Sequence, residues 1–284
     1  MNEGTLFVVA TPIGNLDDLS PRARAVLAAV DLVAAEDTRV TGRLLSHFGI
    51  KKRQIPLHEH NEESASAGLV RELQEGKSIA LVSDAGTPLI SDPGFDLLRR
   101  AHAAGITVSP IAGPSAVVAA LSASGLPTDR FAFEGFLPAR KSARTRRLQS
   151  LAAEKRTLVF YESVHRIAET VDDMAATLGA GRMAFIGREL SKWHEQCVSA
   201  DLQSLANRLD DGSIPLKGEF VIVVSGAGDA EESAGLNAEL LLAELVGVLP
   251  GKQAVEIVAR VGGGSRNELY QRMLALKADD SVEK

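Results

Sequence analysis

The stretch LVSDAGTPLISDPG, residues 81–94, decides how the rest of the chain is read. The run from Ser78 to Val82 that leads into it has the length and apolar character of a buried parallel strand. At Ser83 and Asp84 it opens into a loop with Gly86, Thr87 and Pro88, at the place where an open α/β sheet keeps its ligands. Glycine lets backbone approach a ligand closely, and a carboxylate with two hydroxyls offers polar groups to a small zwitterion. An ordinary strand-to-helix connection uses the same residues for backbone reasons alone. A second turn follows, Ser91-Asp92-Pro93-Gly94, in which Asp92 is expected to N-cap a helix beginning at Pro93.

The same punctuation recurs along the chain. Strands are predicted at Thr5–Ala10, Asp31–Ala35 and Ile106–Ile111, Ile55 to Leu57 lead to His58-Glu59-His60-Asn61, and helices in between are ended by Gly49, Gly76 and Gly105. This βαβα rhythm predicts a mostly parallel sheet covered by helices, with the loops after residues 10, 35, 82 and 111 gathered along one edge. Turn residues at Ser124-Gly125-Leu126-Pro127 suggest a boundary, giving an N-terminal α/β domain over 1–126. A second α/β domain is expected over 127–226, with strands at Phe131–Phe136, Thr157–Tyr161, Arg182–Gly187 and Phe220–Val224, and with Trp193–Val198 pairing beside the third. The Gly-, Ala- and acid-rich segment suits a linker over 227–236. Helices around the GGGS turn then make a small helix-turn-helix-like domain over 237–284.

With 284 residues and 45% hydrophobic side chains, the chain has ample material for packed cores. No run of twenty apolar residues exists and the N-terminus lacks a basic leader, so a cytoplasmic protein is expected. The single cysteine, Cys197, excludes an internal disulfide and reads as small core filler. A net charge of −6 argues against a general polyanion binder, yet RKSARTRR at 140–147 carries five positive charges and no acid. Neither GxGxxG after the first strand nor GxxxxGK[ST] is present, which removes the usual dinucleotide and triphosphate cradles. No HExxH, GxSxG or third ligand beside His58 and His60 supports zinc or serine-hydrolase chemistry. Short loops of glycine and hydroxyls with modest charge suit a ligand having an amino-acid end and an adenosine end.

The segments TPIGNL at 11, AAEDTR at 34, SDAGTPLISDPG at 83, AGPSAVVAALSASGLP at 112, FEGFLP at 133, FYESVHR at 160, REL at 188 and KGEFV at 217 occur in this order. Together they closely resemble the ribosomal RNA small subunit methyltransferase I family, one of the tetrapyrrole-methylase-like (class III) S-adenosylmethionine enzymes, along the whole chain. The strand-one loop reads TPIGN where tetrapyrrole enzymes carry GxGPG, which favours the RNA enzymes over porphyrin methylation. The resemblance implies two α/β domains of the tetrapyrrole methylase type, with the cofactor in the cleft between them, in a homodimer. It implies methyl transfer from S-adenosylmethionine to the ribose 2′-oxygen of a cytidine, conventionally number 1402, in 16S rRNA of the small ribosomal subunit. By motif position, Pro12, Asp84, Ala85, Gly86, Thr87, Ser115 and Ala116 should line the methionine side, and Tyr161, Glu162, Ser163, Leu190, Gly218 and Glu219 the adenosine side.

The ribose hydroxyl is a poor nucleophile whose proton needs an acceptor. Asp37 in the AEDTR cluster is the first candidate and His58 the second, with Arg39 available to neutralise a neighbouring phosphate. A purely structural role for Asp37, pairing with Arg39 or capping the next helix, is equally open. Arg140, Lys141, Arg144, Arg146 and Arg147, with Arg266 near the C-terminus, are the candidate RNA contacts, although a charge run is often only a solvated helix face. No metal is expected. A small-molecule methyltransferase acting on a porphyrinoid, and a non-catalytic RNA-binding protein with a vestigial pocket, are the alternatives.

Overall fold

The computed structural model describes residues 4–228, 238–246, 248–261 and 265–279. Its first half holds strands β1 (Thr5–Val9), β2 (Leu32–Ala35), β3 (Arg53–Pro56), β4 (Ile79–Val82) and β5 (Thr107–Ile111) in the order β3-β2-β4-β1-β5. Every pairing is parallel. Helices α1 (Pro21–Ala29), α2 (Thr38–His47), α3 (Glu62–Gln74), α4 (Phe95–Ala103) and α5 (Ala116–Ser124) make the connections or follow the last strand. A strand buried on both faces sends alternate residues to different cores. Leu32, Ala34, Ile79 and Leu81 accordingly pack with Leu69 and Leu73 of α3 and Leu97 of α4, whereas Val33, Ala35, Ala80 and Val82 pack with Leu27 of α1 and Leu45 of α2.

Helix α4 departs from the expected start. Asp92 does not cap it and Pro93 is not its first residue: α4 begins at Phe95, with Gly94 (φ 126°) as the capping residue. The orphan N–H groups of Gly94 and Asp96 donate instead to Glu62 Oε1 of α3, at 3.0 and 2.8 Å. Leu89 (φ 76°) and Ser91 (φ 70°) lie in the left-handed region and turn the chain so that Asp92 faces elsewhere. Glycine suits 94 because its φ of 126° would strain a side chain, and a Cβ there would also sit 2.9 Å from a Leu81 methyl.

The second sheet is mixed. Strands β6 (Phe131–Phe136), β7 (Thr157–Glu162), β8 (Met183–Arg188), β9 (Gln196–Asp201) and β10 (Phe220–Val224) run in the order β6-β7-β10-β8-β9. β6 and β7 are parallel, and β10 runs antiparallel between β7 and β8. β9 lies antiparallel on the edge, beginning three residues beyond Trp193, which stands outside the strand. Cys197 is exposed there rather than filling the core, since an edge strand alternates outward. Val117, Ala120 and Leu121 of α5 pack on Val159, Phe185, Val221 and Val223, so the last helix of the first half covers a face of the second sheet. Helices α6 (Lys141–Leu151), α7 (Ile167–Leu178) and α8 (Leu202–Asp210) complete this half. α8 is not among the expected elements, although the Asp201 carboxylate caps it and Leu202, Leu205, Ala206 and Leu209 form its buried face.

Both halves fall within one compact unit, residues 1–149 and 157–225; residues 150–156 and 226–284 form another. In the second unit α9 (Ala238–Val246), α10 (Gly251–Val261) and α11 (Arg266–Asp279) bury Leu242, Val255, Val258, Leu269 and Met273 among themselves. Most of the expected linker, from residue 229 on, and the glycine turn at 262–264 lie outside the described residues. Among the described residues no helix is long and apolar enough to cross a membrane, and no group of metal-ligating side chains is assembled.

Candidate active site

The loops leaving the carboxyl ends of β1, β2, β4 and β5 are tied to one another. Thr11 and Gly86 exchange backbone hydrogen bonds of 2.8 and 3.1 Å, and the Thr11 hydroxyl donates to the Ser83 carbonyl at 3.2 Å. Gly86 has φ 80°, which a side chain would strain. The Thr87 hydroxyl donates to the Pro114 carbonyl at 3.0 Å, joining the loop after β4 to that after β5. On the other side, the Asp84 N–H donates to Glu36 Oε2 at 3.2 Å and the Asp37 N–H to Asp84 Oδ1 at 3.0 Å. Backbone groups at strand ends have no ladder partner, and these carboxylates supply one.

The opposing wall comes from the second sheet. Tyr161 is fixed edge-on by Phe133 and Phe136, at ring separations of 5.0 and 5.6 Å. Glu162 is held by Arg166 at 2.6 Å, the Thr170 hydroxyl at 2.8 Å and the Ser163 N–H at 2.7 Å. Gly218 (φ 87°) lies against Glu189, where a Cβ would be 2.4 Å from its side chain. Lys192 Nζ bonds Glu189 at 2.8 Å and Glu219 at 2.9 Å. Glu189 (φ 51°) and Ser191 (φ 65°) shape this loop, and Trp193 at its tip is 96% exposed.

Between the walls lies a cavity of about 530 Å³, within the usual range for small-molecule clefts. Asp84, Ala85, Gly86, Thr87, Ser115 and Ala116 line one side, and Tyr161, Glu162, Ser163, Leu190, Gly218 and Glu219 the other. Pro12 does not line it: this residue is buried, and its neighbour Ile13 reaches the cavity. Glu36, Ile90, Asp92, Phe136 and His165 also line it, beyond what the motifs indicated. For Glu36 a signal existed, because it directly follows the strand in the AEDTR cluster.

The cavity is acidic. Glu36, Asp84, Asp92, Glu162 and Glu219 face it, His165 is its one imidazole, and no Lys or Arg stands among the described lining residues. Burial pushes the Glu36 and Asp84 carboxyls above their ordinary range. Burial lifts Asp92 furthest, to about 6; the Ser83 hydroxyl pulls the other way, while Glu36 and Asp84 add to the rise. Tyr161 is pushed up to about 12, chiefly by burial.

Asp37, Arg39 and His58 stand outside the cavity lining. The Arg39 side chain holds the Asp37 carboxyl down at about 2, with Nε and a terminal nitrogen at 3.0 and 2.5 Å, and Asp37 also caps α2 through the Arg39 N–H. A carboxylate so stabilised is a weak proton acceptor. His58 Nδ1 is buried without a hydrogen-bond partner among the described residues. Among the basic candidates, Arg140, Lys141, Arg146, Arg147 and Arg266 are exposed, Arg147 pairing with Glu134 and Arg266 with Glu256. Arg144 is the exception and is corrected: its side chain is 1% exposed, bonded to Asp173 at 2.7 Å and Glu169 at 3.3 Å.

Parallel strand ends facing a second, mixed sheet across an acidic cavity agree with the family comparisons. The model of the tetrapyrrole (corrin/porphyrin) methylases matches residues 5–206, and that of the RsmI C-terminal HTH domain matches 232–277. A solved uroporphyrin-III C-methyltransferase from Thermus thermophilus, complexed with S-adenosyl homocysteine, shares the fold with a TM-score of 0.54 at 18% identity, over 78% of this chain and 97% of that one. The fold and cleft are thus those of the tetrapyrrole methylase class. The ribosomal RNA small subunit methyltransferase I of Xylella fastidiosa (strain Temecula1) is 51% identical over 94% of this chain and 98% of its own length. That of Pseudomonas aeruginosa is also 51% identical, over 96% and 98%. The chain belongs to the ribosomal RNA small subunit methyltransferase I family.

Proposed function

We propose that the protein is a cytoplasmic, homodimeric S-adenosylmethionine-dependent enzyme that methylates the ribose 2′-oxygen of a cytidine, conventionally number 1402, in 16S rRNA of the small ribosomal subunit. The observation that carries the reading is the acidic cavity at the parallel strand ends, which has no Lys or Arg in its described lining. A low-dielectric pocket of carboxylates favours a cation and rejects phosphates, and the sulfonium cofactor is a cation with an ammonium group besides. The residues fit it chemically: Asp84, Thr87 and Ser115 offer polar atoms to an amino-acid end, and Tyr161, Leu190 and Val221 offer apolar surface to an adenine. S-adenosylmethionine supplies an electrophilic methyl group and its own leaving group. What remains for the protein is to align the attacking oxygen, exclude water and receive a proton. Arg39, 84% exposed at the start of α2, neutralises a phosphate beside the target nucleotide, and Arg140, Lys141, Arg146 and Arg147 hold the strand beyond it.

Incubation of the protein with labelled S-adenosylmethionine and small subunits lacking the modification, followed by mass mapping of the rRNA, tests the reading. One ribose-methylated cytidine is expected. Transfer to a tetrapyrrole instead, or cofactor binding without transfer, would overturn it.

A further inference from the structure

Three aromatic rings meet at one end of the second sheet, and β6 breaks its ladder to bring them together. Residues three apart on a regular strand point to opposite faces, so an unbroken β6 would not set both Phe133 and Phe136 on the face that carries Val159 and Tyr161. The register shift does so. Phe133 pairs with Val159, Gly135 with Phe160 and Phe136 with Tyr161, which leaves Glu134 as the extra residue. Gly135 takes the left-handed conformation (φ 65°) of a bulge glycine, and both phenylalanines reach Tyr161 edge-on. Bulges are rare in parallel pairs, gather at sheet edges and beside active sites, and re-aim a side chain there. The side chain re-aimed here is Phe136.

The ring is held but not covered. On one side of it Arg147 of α6 binds the Glu134 carboxylate, through Nε at 3.1 Å; on the other Leu137 is buried and its carbonyl accepts a 3.0 Å hydrogen bond from Arg166. Phe136 itself is 54% exposed, more than any other large apolar side chain among the described residues lining the cavity. Four residues further on, Arg140 begins the exposed basic segment. The acidic lining repels phosphates, so a strand gripped by that segment sends only a base and its sugar toward the cofactor. Unstacked RNA bases are received on aromatic faces.

We propose that Phe136 is the stacking platform for the nucleotide to be methylated: the cytosine lies on the solvent face of its ring, which sets the attached ribose and its 2′-oxygen over the cavity. This rests on the methyltransferase reading and deepens it. Every base has a π-face, so the ring positions the nucleotide without selecting cytosine. The cofactor's adenine takes the inner apolar surface of Tyr161, Leu190 and Val221, which is buried or half-buried, and leaves Phe136 to the RNA.

The test compares the full-length wild-type protein with Phe136→Ala, Phe136→Leu and Phe136→Tyr. Each is measured for methyl transfer to small subunits lacking the modification, for S-adenosylmethionine affinity by calorimetric titration, and for sedimentation. Phe136→Ala should lower kcat/KM for the subunits by about 5–150-fold, the effect of losing one base–aromatic stack, with cofactor affinity and sedimentation unchanged. Phe136→Leu keeps an apolar side chain without a π-face and should lose nearly as much. Phe136→Tyr keeps the face and should transfer within about threefold of wild type. Rescue by an aromatic residue but not by an aliphatic one is a pattern that a merely structural role for the ring does not produce. Phe136→Leu as active as wild type, or Phe136→Tyr as poor as Phe136→Ala, would overturn the assignment. So would a cofactor affinity that falls in step with transfer, which makes the ring part of the adenine wall, or an altered sedimentation, which puts it in a contact between subunits. If the wild-type protein does not methylate small subunits at all, the functional reading fails and the assignment falls with it.

Discussion

Replacing Arg144 by alanine would leave the Asp173 carboxylate, itself nearly buried, without the guanidinium that bonds it at 2.7 Å. Truncating one partner of a buried pair strands the other charge, so a loss of about 3–5 kcal/mol in urea unfolding is expected, and less for Arg144→Met, which refills the space. Of the run RKSARTRR, Arg144 alone turns fully inward, since α6 puts one position in four on its buried face and Asp173 of α7 waits there. The run itself is visible in the sequence. Which member faces inward depends on a carboxylate 29 residues away, and no local pattern reports that. The Asp37–Arg39 pair is the opposite case, because a residue that can cap a helix two positions before an arginine makes both contacts locally.

At the scale of elements, the parallel sheet was legible because β2 and β4 are short apolar runs buried on both faces and ended by turn residues. The second sheet was legible strand by strand but not in its order, since β10 inserts between strands far earlier in the chain and no spacing announces that. Helix α8 carried a readable Asp cap and a 3.6-residue apolar repeat. The turn at 89–94 was misread because SDPG is an ordinary helix start, and neither left-handed backbone at Leu89 and Ser91 nor capping by Glu62 from another helix has a local signature. Glu62→Ala should therefore act on α4 and on this turn together. A loss of about 1–2 kcal/mol in unfolding free energy, read as a lower denaturation midpoint, is expected, as for a charged cap. Glu62→Gln should retain more of the stability, and an unchanged midpoint for the alanine variant would show that Gly94 and Asp96 find other acceptors.

At the scale of the whole molecule, a chain with net charge −6 has to hold a polyanion, so local concentrations of positive charge decide the matter. Arg140, Lys141 and Arg146 are exposed on or beside α6. Changing all three to glutamine should weaken binding to rRNA fragments and reduce the slope of log K against log salt by about 2, the value for three phosphate contacts on a single strand. Arg144→Met should leave that slope unchanged, which separates the exposed members of the run from the buried one. A slope unaltered by the triple change would move the RNA path to the helical unit that carries Arg266. On the proposed function, the acidic cavity and the basic segment divide the labour, one attracting a small cation and the other a polyanion.

The loop at 189–195 gives the molecule an optical reporter. Trp193 is the single tryptophan of the sequence, it is 96% exposed, and it follows by three residues the Leu190 that lines the cavity. Its indole stands on backbone fixed by Glu189, Ser191 and the double contact of Lys192. Tryptophan emission from this protein, excited at wavelengths too long for Tyr161 and Tyr270 to absorb, is therefore that of one solvated ring beside the cleft. A change in its colour, intensity or quenching by iodide when a ligand is added originates at that loop, so occupancy of the cleft can be followed in unlabelled protein and in real time.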